Sequence, residues 1–579
     1  MKQLTLENYH LLLPYMKLAN YPECNSNIVT LLMWAKYYEV YFTIEDDFAL
    51  VYTKSNLDEK RWLMPYCTLS KRPQALQCMK QLSMDHGVAF TIYSMTKEFT
   101  SWLQQTYPQT FLIHNTYDLA DYVYDRFQQQ SLSGKKMQKR RNHFHAFLKL
   151  YEGRYTYKAL EKSDHDAIYA FLDEWKSRKD EEEYETIDAE REGISFMLEH
   201  WDELPLLGGC IYVDGKLEAF NIVSYLRDDM VEIHVEKANK HIRGLYIAIL
   251  KLFLETLPQK INYLNREDDM GLAELRKNKS DMGPIYKIQK YQATLATITF
   301  TKASDIHFND IKALWLESFK DENETTTAFY FTHFYDSNNT YLLTYHDEII
   351  SMMQIKPITI SYHHKPSPSY FIVGVATNRK YEGCGYMRTL LNNVLNKSPY
   401  KEADTILLQA YNYDVYKNFG FHETYQQVRW KVNKEAYKQV CGQFINQENA
   451  TAFANLYHAF VAHKDGYKLR TSSDYITHYF PYMQCYGLQH ALYLENDQTL
   501  GYIVFYLDEN SIEVSECIYQ DETILEHMLT SLCEQFDKVY IHLSTDIKIQ
   551  GKAKPYTHMA MKTKDAPCFS DPLFINETI

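Results

Sequence analysis

A succession of periodicities that repeats along the chain constrains its fold more than any other feature. Over residues 164–293, helix-period stretches ("HDAIYAFLDEWKSRK", "REGISFMLEHWDEL") precede strand-period runs ("GGCIYVDGKLEAFNIVSYL", "MVEIHVEKA"), and a helix ("GLYIAILKLFLETL") and a lone strand ("KINYLNRED") follow. From "ATITFTKASD" at residue 296 the same grammar returns: a helix, strands at "TYLLTYHDEIISMMQIKPITISY" and "SYFIVGVAT", a glycine stretch, a helix and the strand "DTILLQA". Apolar spacing near 3.6 suits a helix and alternation suits a strand, so this order specifies mixed sheets covered by helices and excludes a bundle or a pure β-sandwich. The predicted fold class is α/β (α+β mixed sheets). At about 100–200 residues per domain, the 579 residues accommodate about four tandem units, expected at 1–130, 131–295, 296–430 and 431–579. "VDGK" is the expected hairpin turn, because Asp-Gly tolerates positive φ, and Ser133 is the expected N-cap of the helix that follows it in "SLSGKKMQKRRNHFHAFLKLY".

Charge and cysteine usage remove several function classes. The formal net charge is −14, so nucleic acid or an anionic membrane is repelled on average and needs a local basic patch. No stretch reaches the roughly 18 apolar residues of a membrane-spanning helix, and "MKQLTLENYHLLLPY" lacks the apolar core of a signal peptide; a cytoplasmic protein without transmembrane anchoring is expected. The ten cysteines form no CxxC pair and no Cys/His cluster at metal-ligand spacing, so buried free thiols and no metal are expected.

The glycine stretch "YEGCGYMRTLL" carries the strongest chemical signal. A strand leading through glycines into a helix leaves unpaired N–H groups at the positive end of the helix dipole, where a pyrophosphate fits. Gly383 and Gly385 allow close approach to the backbone. A third glycine at dinucleotide spacing is missing, and so is the Lys-Ser/Thr pair of a P-loop. A bare tight turn has the same local features.

"VGVAT…YEGCGYMRTLL" resembles the acyl-CoA-binding motif of GNAT N-acetyltransferases, most closely the Eis (enhanced intracellular survival) type. The resemblance implies GNAT-like units, acetyl-CoA (acyl-CoA) as cofactor, and an amine acceptor, either a small molecule or a peptide. It implies cofactor contacts at Val373, Val375, Gly383, Cys384, Gly385, Tyr386, Met387 and Arg388. In "LLQAYNYDVYKNFGF" it implies Tyr416 as the general acid that protonates the leaving thiolate, followed by Gly420 and Phe421. A phenol with an ordinary pKa near 10 keeps its proton at neutral pH, while a thiol near ~8.5 makes a good leaving group. The Eis type further implies a trailing GNAT-like unit, assembly into homo-oligomers, and a C-terminal carboxylate, here Ile579, as base. Glu382 departs from the motif, standing where the type carries Arg, with Lys380 nearby. Arg470 and Glu516 match stretches of the trailing region and are expected to pair ionically.

In the first half, Lys135, Lys136, Lys139, Arg140 and Arg141 fall within seven residues. A charge run of this kind is most often a solvated helix face. "LSGKKMQKRRNHFHAF" and "NYLNREDDMGLAELRKNKSDMG" also resemble the C-terminal domain of phosphatidylglycerol lysyltransferases and its soluble relatives. That resemblance implies aminoacyl-tRNA as a partner of the first half and substrate contacts at Lys135, Lys136, Arg141, Asn142, His143, Asn265, Glu267 and Arg276. Three readings follow: a GNAT-type N-acetyltransferase, an aminoacyl-tRNA-dependent aminoacyl transferase, and a non-catalytic GNAT-like ligand-binding protein.

Overall fold

The computed structural model describes residues 1–35, 37–55, 59–176, 184–410, 412–439, 441–563 and 573–574. The chain divides into two units: Met1–Ile298 together with Lys380–Gly385, and Thr299–Arg379 together with Tyr386–Ile579.

The first unit holds two mixed sheets. One has eight strands, with Tyr38–Glu45, Phe48–Ser55, Lys60–Trp62 and Thr91–Met95 adjacent in that order; the other has seven, centred on Tyr263–Asn265, Met230–Ala238 and Lys216–Arg227. The sheets exchange strands. Tyr291–Leu295 inserts between Thr91–Met95 and Phe111–Asn115 of the first sheet, while Asp121–Asp125 pairs in the second. Sheet membership therefore does not follow the boundary expected at residue 130. The helix Leu245–Thr256 is apolar around most of its circumference, burying Leu245, Ala248, Ile249, Leu250, Phe253 and Leu254, because it lies on the seven-stranded sheet.

The hairpin turn forms as expected, with Asp214 at φ +51° and Gly215 at φ +83° linking Leu206–Val213 to Lys216–Arg227. Ser133 does not cap the helix that follows it. A 3-10 turn, Lys135–Met137, begins after Gly134, and the α-helix Gln138–Leu150 starts without any side-chain cap.

The second unit is one twelve-stranded sheet, and here too the strand order crosses the expected boundary at 430/431. The late strand Gly551–Thr563 lies between Thr405–Gln409 and His422–Val432, so both expected units share continuous hydrogen bonding. The helix Tyr386–Leu395 buries Tyr386, Thr389, Leu390, Leu391, Val394 and Leu395, a 3.6-residue stripe. On the same sheet, Trp315 stacks on Tyr330 with ring centroids 4.4 Å apart, and Gly374 is required beneath it because a Cβ there would meet the indole at 2.7 Å.

One irregularity occurs three times. In Lys365–Thr377, Ile372 and Gly374 face the consecutive residues Ile355 and Gln354, which leaves Val373 as a β-bulge. His234 is extra in Met230–Ala238 in the same way, and Ser515 in Ser511–Tyr519. Each bulged strand has a parallel neighbour on its other edge, and that ladder stops just short of the bulge: at Ile372, at Glu232 and at Val514. Beyond these points each strand runs on without the neighbour, which opens a cleft in the sheet. Bulges end pairing in this manner and re-aim backbone and side chains beside active sites.

Candidate functional site

The first cleft opens on the twelve-stranded sheet, at the edge of the strand Lys365–Thr377. After Ile372 the strand Lys365–Thr377 continues alone on that edge and leads through the short turn Arg379–Tyr381 to the helix Tyr386–Leu395. Gly383 (φ +75°) and Gly385 (φ +93°) occupy the left-handed region that side chains disfavour. Tyr381, Cys384 and Tyr386 are buried and anchor the turn, and burial pushes the Cys384 thiol up to about 12, so it is a packing group rather than a nucleophile. Glu382, Gly383 and Arg388 are exposed, with Gly385 and Met387 half-buried. Within the first unit, Tyr117 Oη donates to the Glu382 carboxylate at 3.1 Å and Lys97 Nζ donates to the Gly383 carbonyl.

Tyr416 sits on the short helix Asp414–Lys417, its ring edge-on to Phe421 at 6.0 Å. A neighbouring phenol fixes this segment: Tyr413 Oη donates to the Phe421 carbonyl at 2.6 Å and accepts from the Glu423 N–H at 2.9 Å. The Tyr416 hydroxyl has no hydrogen-bond partner among the described residues, and burial raises it to about 12, so the proton is retained at neutral pH. Arg388, in the first turn of the helix Tyr386–Leu395, lies 5.7 Å from the Phe419 ring centroid and links that helix to the Tyr416 segment. Ile579 lies outside the described residues. Arg470 and Glu516 form the expected ion pair, both buried, with Arg470 Nη1 3.0 Å from each carboxylate oxygen, and Tyr502 Oη donating to Glu516 at 2.8 Å.

The second cleft lies in the first unit, where buried polar residues converge. Asn265 is fully buried; its Nδ2 donates to the Pro22 carbonyl at 3.0 Å and to Asp121 at 2.9 Å, and its Oδ1 accepts from the Glu267 N–H at 2.8 Å. Lys290, also buried, reaches Asp121 at 2.5 Å and Cys24 Sγ at 3.2 Å. Burial pushes the Glu23 carboxyl up to about 8. Glu232 accepts from Asn27 Nδ2 at 2.9 Å and Thr30 Oγ1 at 2.7 Å. Burial opposes a charge on His234, yet the carboxylates of Glu232 and Glu267 raise it to about 9.

The basic cluster behaves differently. Lys135, Lys136, Lys139 and Asn142 are exposed, whereas Arg140 donates to Gln129 at 2.7 Å and Arg141 to the Leu132 carbonyl at 2.5 Å. The His143 carbonyl packs against Gly244. Arg276 is held by Asp269 at 2.9–3.0 Å and by Asp118 at 2.6 Å. Of the residues expected to bind substrate here, the structure brings Asn265 and Glu267 into one cleft and commits Arg141 and Arg276 to structural bonds. Sequence reasoning missed Cys24, Asn27, Asp121, Glu232, His234 and Lys290. "VEIHVE" held a usable signal: a Glu and a His two residues apart share one strand face inside an otherwise apolar run.

The comparisons with known proteins agree with this division. Residues 17–294 match the family described as phosphatidylglycerol lysyltransferase, C-terminal, and residues 299–424 match the acetyltransferase (GNAT) domain family. An uncharacterised protein of Mycoplasmoides gallisepticum is 27% identical over 209 residues, which cover 36% of this chain and 66% of that protein. A conserved protein of unknown function from Bacteroides thetaiotaomicron is similar in structure, at 26% identity and a TM-score of 0.49, covering 51% of this chain and 98% of its own. Eis1 from Mycobacterium abscessus is similar at 8% identity and a TM-score of 0.38, covering 46% of this chain and 73% of its own. One polypeptide thus carries a domain like the C-terminal domain of phosphatidylglycerol lysyltransferases, followed by a GNAT acyltransferase domain.

Proposed function

We propose that the second unit transfers an acetyl group from acetyl-CoA to an amine. One observation carries this reading: the strand bulged at Val373 leaves its parallel neighbour after Ile372 and then feeds a turn with two positive-φ glycines at a helix N-terminus. The residues fit such a group. Gly383 and Gly385, both at positive φ, would let a pyrophosphate approach the main chain closely, while the Gly383 carbonyl is taken by Lys97 and the Glu382 carboxylate by Tyr117. Acyl-CoA, when bound, supplies a thioester. Backbone N–H groups at residues 373–375 would hold its carbonyl oxygen and stabilise the charge that develops there. On transfer the acceptor nitrogen would bond to the acyl carbon as the carbon–sulfur bond breaks, Tyr416 Oη would donate its proton to the departing sulfur, and the proton lost from the nitrogen would restore the phenol through solvent. Its unshared hydroxyl supports that role.

Calorimetric titration of acetyl-CoA into the full chain tests the reading. Binding in the micromolar range, about −8 kcal/mol, is expected for the wild type. Gly385→Asp should abolish it, since that change adds both a strained side chain and a negative charge. Equal affinity in the two proteins refutes the cradle.

A second reading belongs to the first unit, where the match over residues 17–294 favours aminoacyl transfer from tRNA. Exposed Lys135, Lys136 and Lys139 would meet phosphates. Binding of tRNA that falls steeply with salt and weakens when these three become Ala supports it; salt-independent binding, or none, removes it.

A further inference from the structure

The polar cleft of the first unit contains two groups of metal-ligating side chains, and they differ in how their charge is met. In Cys24, Asp121 and Asp268 the position between the ligands is filled by the Lys290 ammonium, 2.5 Å from Asp121, 3.6 Å from Asp268 and 3.2 Å from Cys24 Sγ. In Glu232, His234 and Glu267, whose ligand atoms lie within 4.8 Å of one another, the ion pairs formed among the described residues are those of His234 with the two carboxylates. Lys279 gives its hydrogens to the carbonyls of Arg266 and Asp268. Arg266 is paired with Glu236 at 3.0 Å.

His234 carries the second, independent observation. Its side chain is fully buried, and Nδ1 points between Glu232 Oε1 at 3.3 Å and Glu267 Oε1 at 3.8 Å while aligning with neither as a hydrogen bond. The other ring nitrogen, Nε2, is engaged by Ser224 Oγ at 2.8 Å. A buried imidazole nitrogen set between two carboxylates is met either by its own proton or by a metal cation seated among the three groups.

We infer that Glu232, His234 and Glu267 form a binding site for one divalent first-row transition metal ion at the mouth of this cleft. With metal–ligand distances of about 2.0–2.2 Å, neighbouring ligand atoms lie about 3.0–3.5 Å apart. The His234–Glu232 separation of 3.3 Å already fits. The 3.8 Å to Glu267 closes by a small shift of a side chain that is one-third exposed and that also gives the ion access from solvent. Supporting contacts are in place: Thr30 and Asn27 hold the Glu232 carboxylate, and Ser224 fixes the imidazole. One imidazole with two carboxylates suits Zn²⁺, Mn²⁺ or Fe²⁺, and three protein ligands leave a coordination position open. Cys/His spacing does not reveal the site, because two of its ligands share a strand face and the third arrives from a separate strand end.

The experiment uses the full-length chain, freed of metal with a chelator and titrated calorimetrically with Zn²⁺. One equivalent per chain is expected, weakened at least ~10-fold in His234→Gln and in Glu267→Gln, and about 10-fold in Thr30→Val. A Co²⁺ titration of the wild type reads the ligand set without any variant, and its absorption should lack a thiolate charge-transfer band. Four results overturn the inference: no stoichiometric binding, binding undiminished in both ligand variants, a thiolate band that moves the ion to Cys24, or binding of lysine amide at this cleft with no metal bound. The last would make it an ammonium pocket.

Discussion

Replacing Lys290 with Met tests whether the polar interior of the first unit is held by one ion pair. Lys290 is 2% exposed and Asp121 0%. Without the ammonium, the carboxylate retains, among the described residues, the Cys24 N–H at 2.8 Å, the Cys24 thiol at 3.3 Å and the Asn265 amide at 2.9 Å, all neutral donors. Removing one partner of a buried pair costs about 3–5 kcal/mol because the other charge is left uncompensated. Unfolding entropy near ~2.1 cal/mol/K per residue, taken over Met1–Ile298, gives about 0.6 kcal/mol/K, so the transition of this unit should fall by about 5–8 °C. Lys290→Met with Asp121→Asn removes both charges and should recover most of the loss. Differential scanning calorimetry of the full chain reads both effects. A shift below about 1 °C for the single variant, or a double variant no more stable than the single, refutes the reasoning.

The other predictions concern the second unit. Tyr416→Phe should lower kcat for acetyl transfer by about 10²–10⁴ while leaving acetyl-CoA affinity within about twofold; an unchanged kcat in steady-state assays removes Tyr416 as the acid. Glu513 is held at about 2, chiefly by Arg429 at 2.7 and 2.8 Å and also by His542 at 2.7 Å. Its contribution to stability is therefore complete above the ordinary carboxylate range and is lost as pH falls from about 4.5 toward 2. The melting-temperature gap between wild type and Glu513→Gln should narrow on acidification from about pH 6 to about pH 3, and a constant gap would contradict this. Gly374→Ala drives a methyl to 2.7 Å from the Trp315 ring, which is itself stacked on Tyr330. It should destabilise the unit by about 1–3 kcal/mol, and an unchanged melting temperature would mean that the stack yields freely.

What could be read in the sequence was local. The Asp214-Gly215 turn, the amphipathic helix after Gly385 and the strand ahead of it follow from φ preferences and from spacing over fewer than about fifteen residues. Strand partners separated by a hundred residues or more leave no such mark. Nothing in "YQATL" indicates that Tyr291–Leu295 belongs between Thr91–Met95 and Phe111–Asn115, and nothing in "KAKPYTHMAMK" places Gly551–Thr563 between two earlier strands. Ser133 failed as a cap for a local reason. Gly134, at φ +87°, starts a 3-10 turn ahead of the helix. The cleft of the first unit was hidden because its members come from five separate stretches, around residues 24, 121, 234, 267 and 290.

The three bulges explain why one backbone device serves different chemistry. At Val373 the side chain is apolar and the strand runs on beyond Ile372 without its parallel neighbour. At Ser515 the adjacent Glu516 is taken by Arg470 and Tyr502, and Tyr502 contacts Tyr475 at 3.0 Å, so a satisfied polar plug closes that opening. At His234 the bulge aims an imidazole between the carboxylates of Glu232 and Glu267. The sheet determines where a ligand can enter, and two or three side chains at each bulge determine what enters. An apolar residue, a completed ion pair and an imidazole between two carboxylates stand at the three openings.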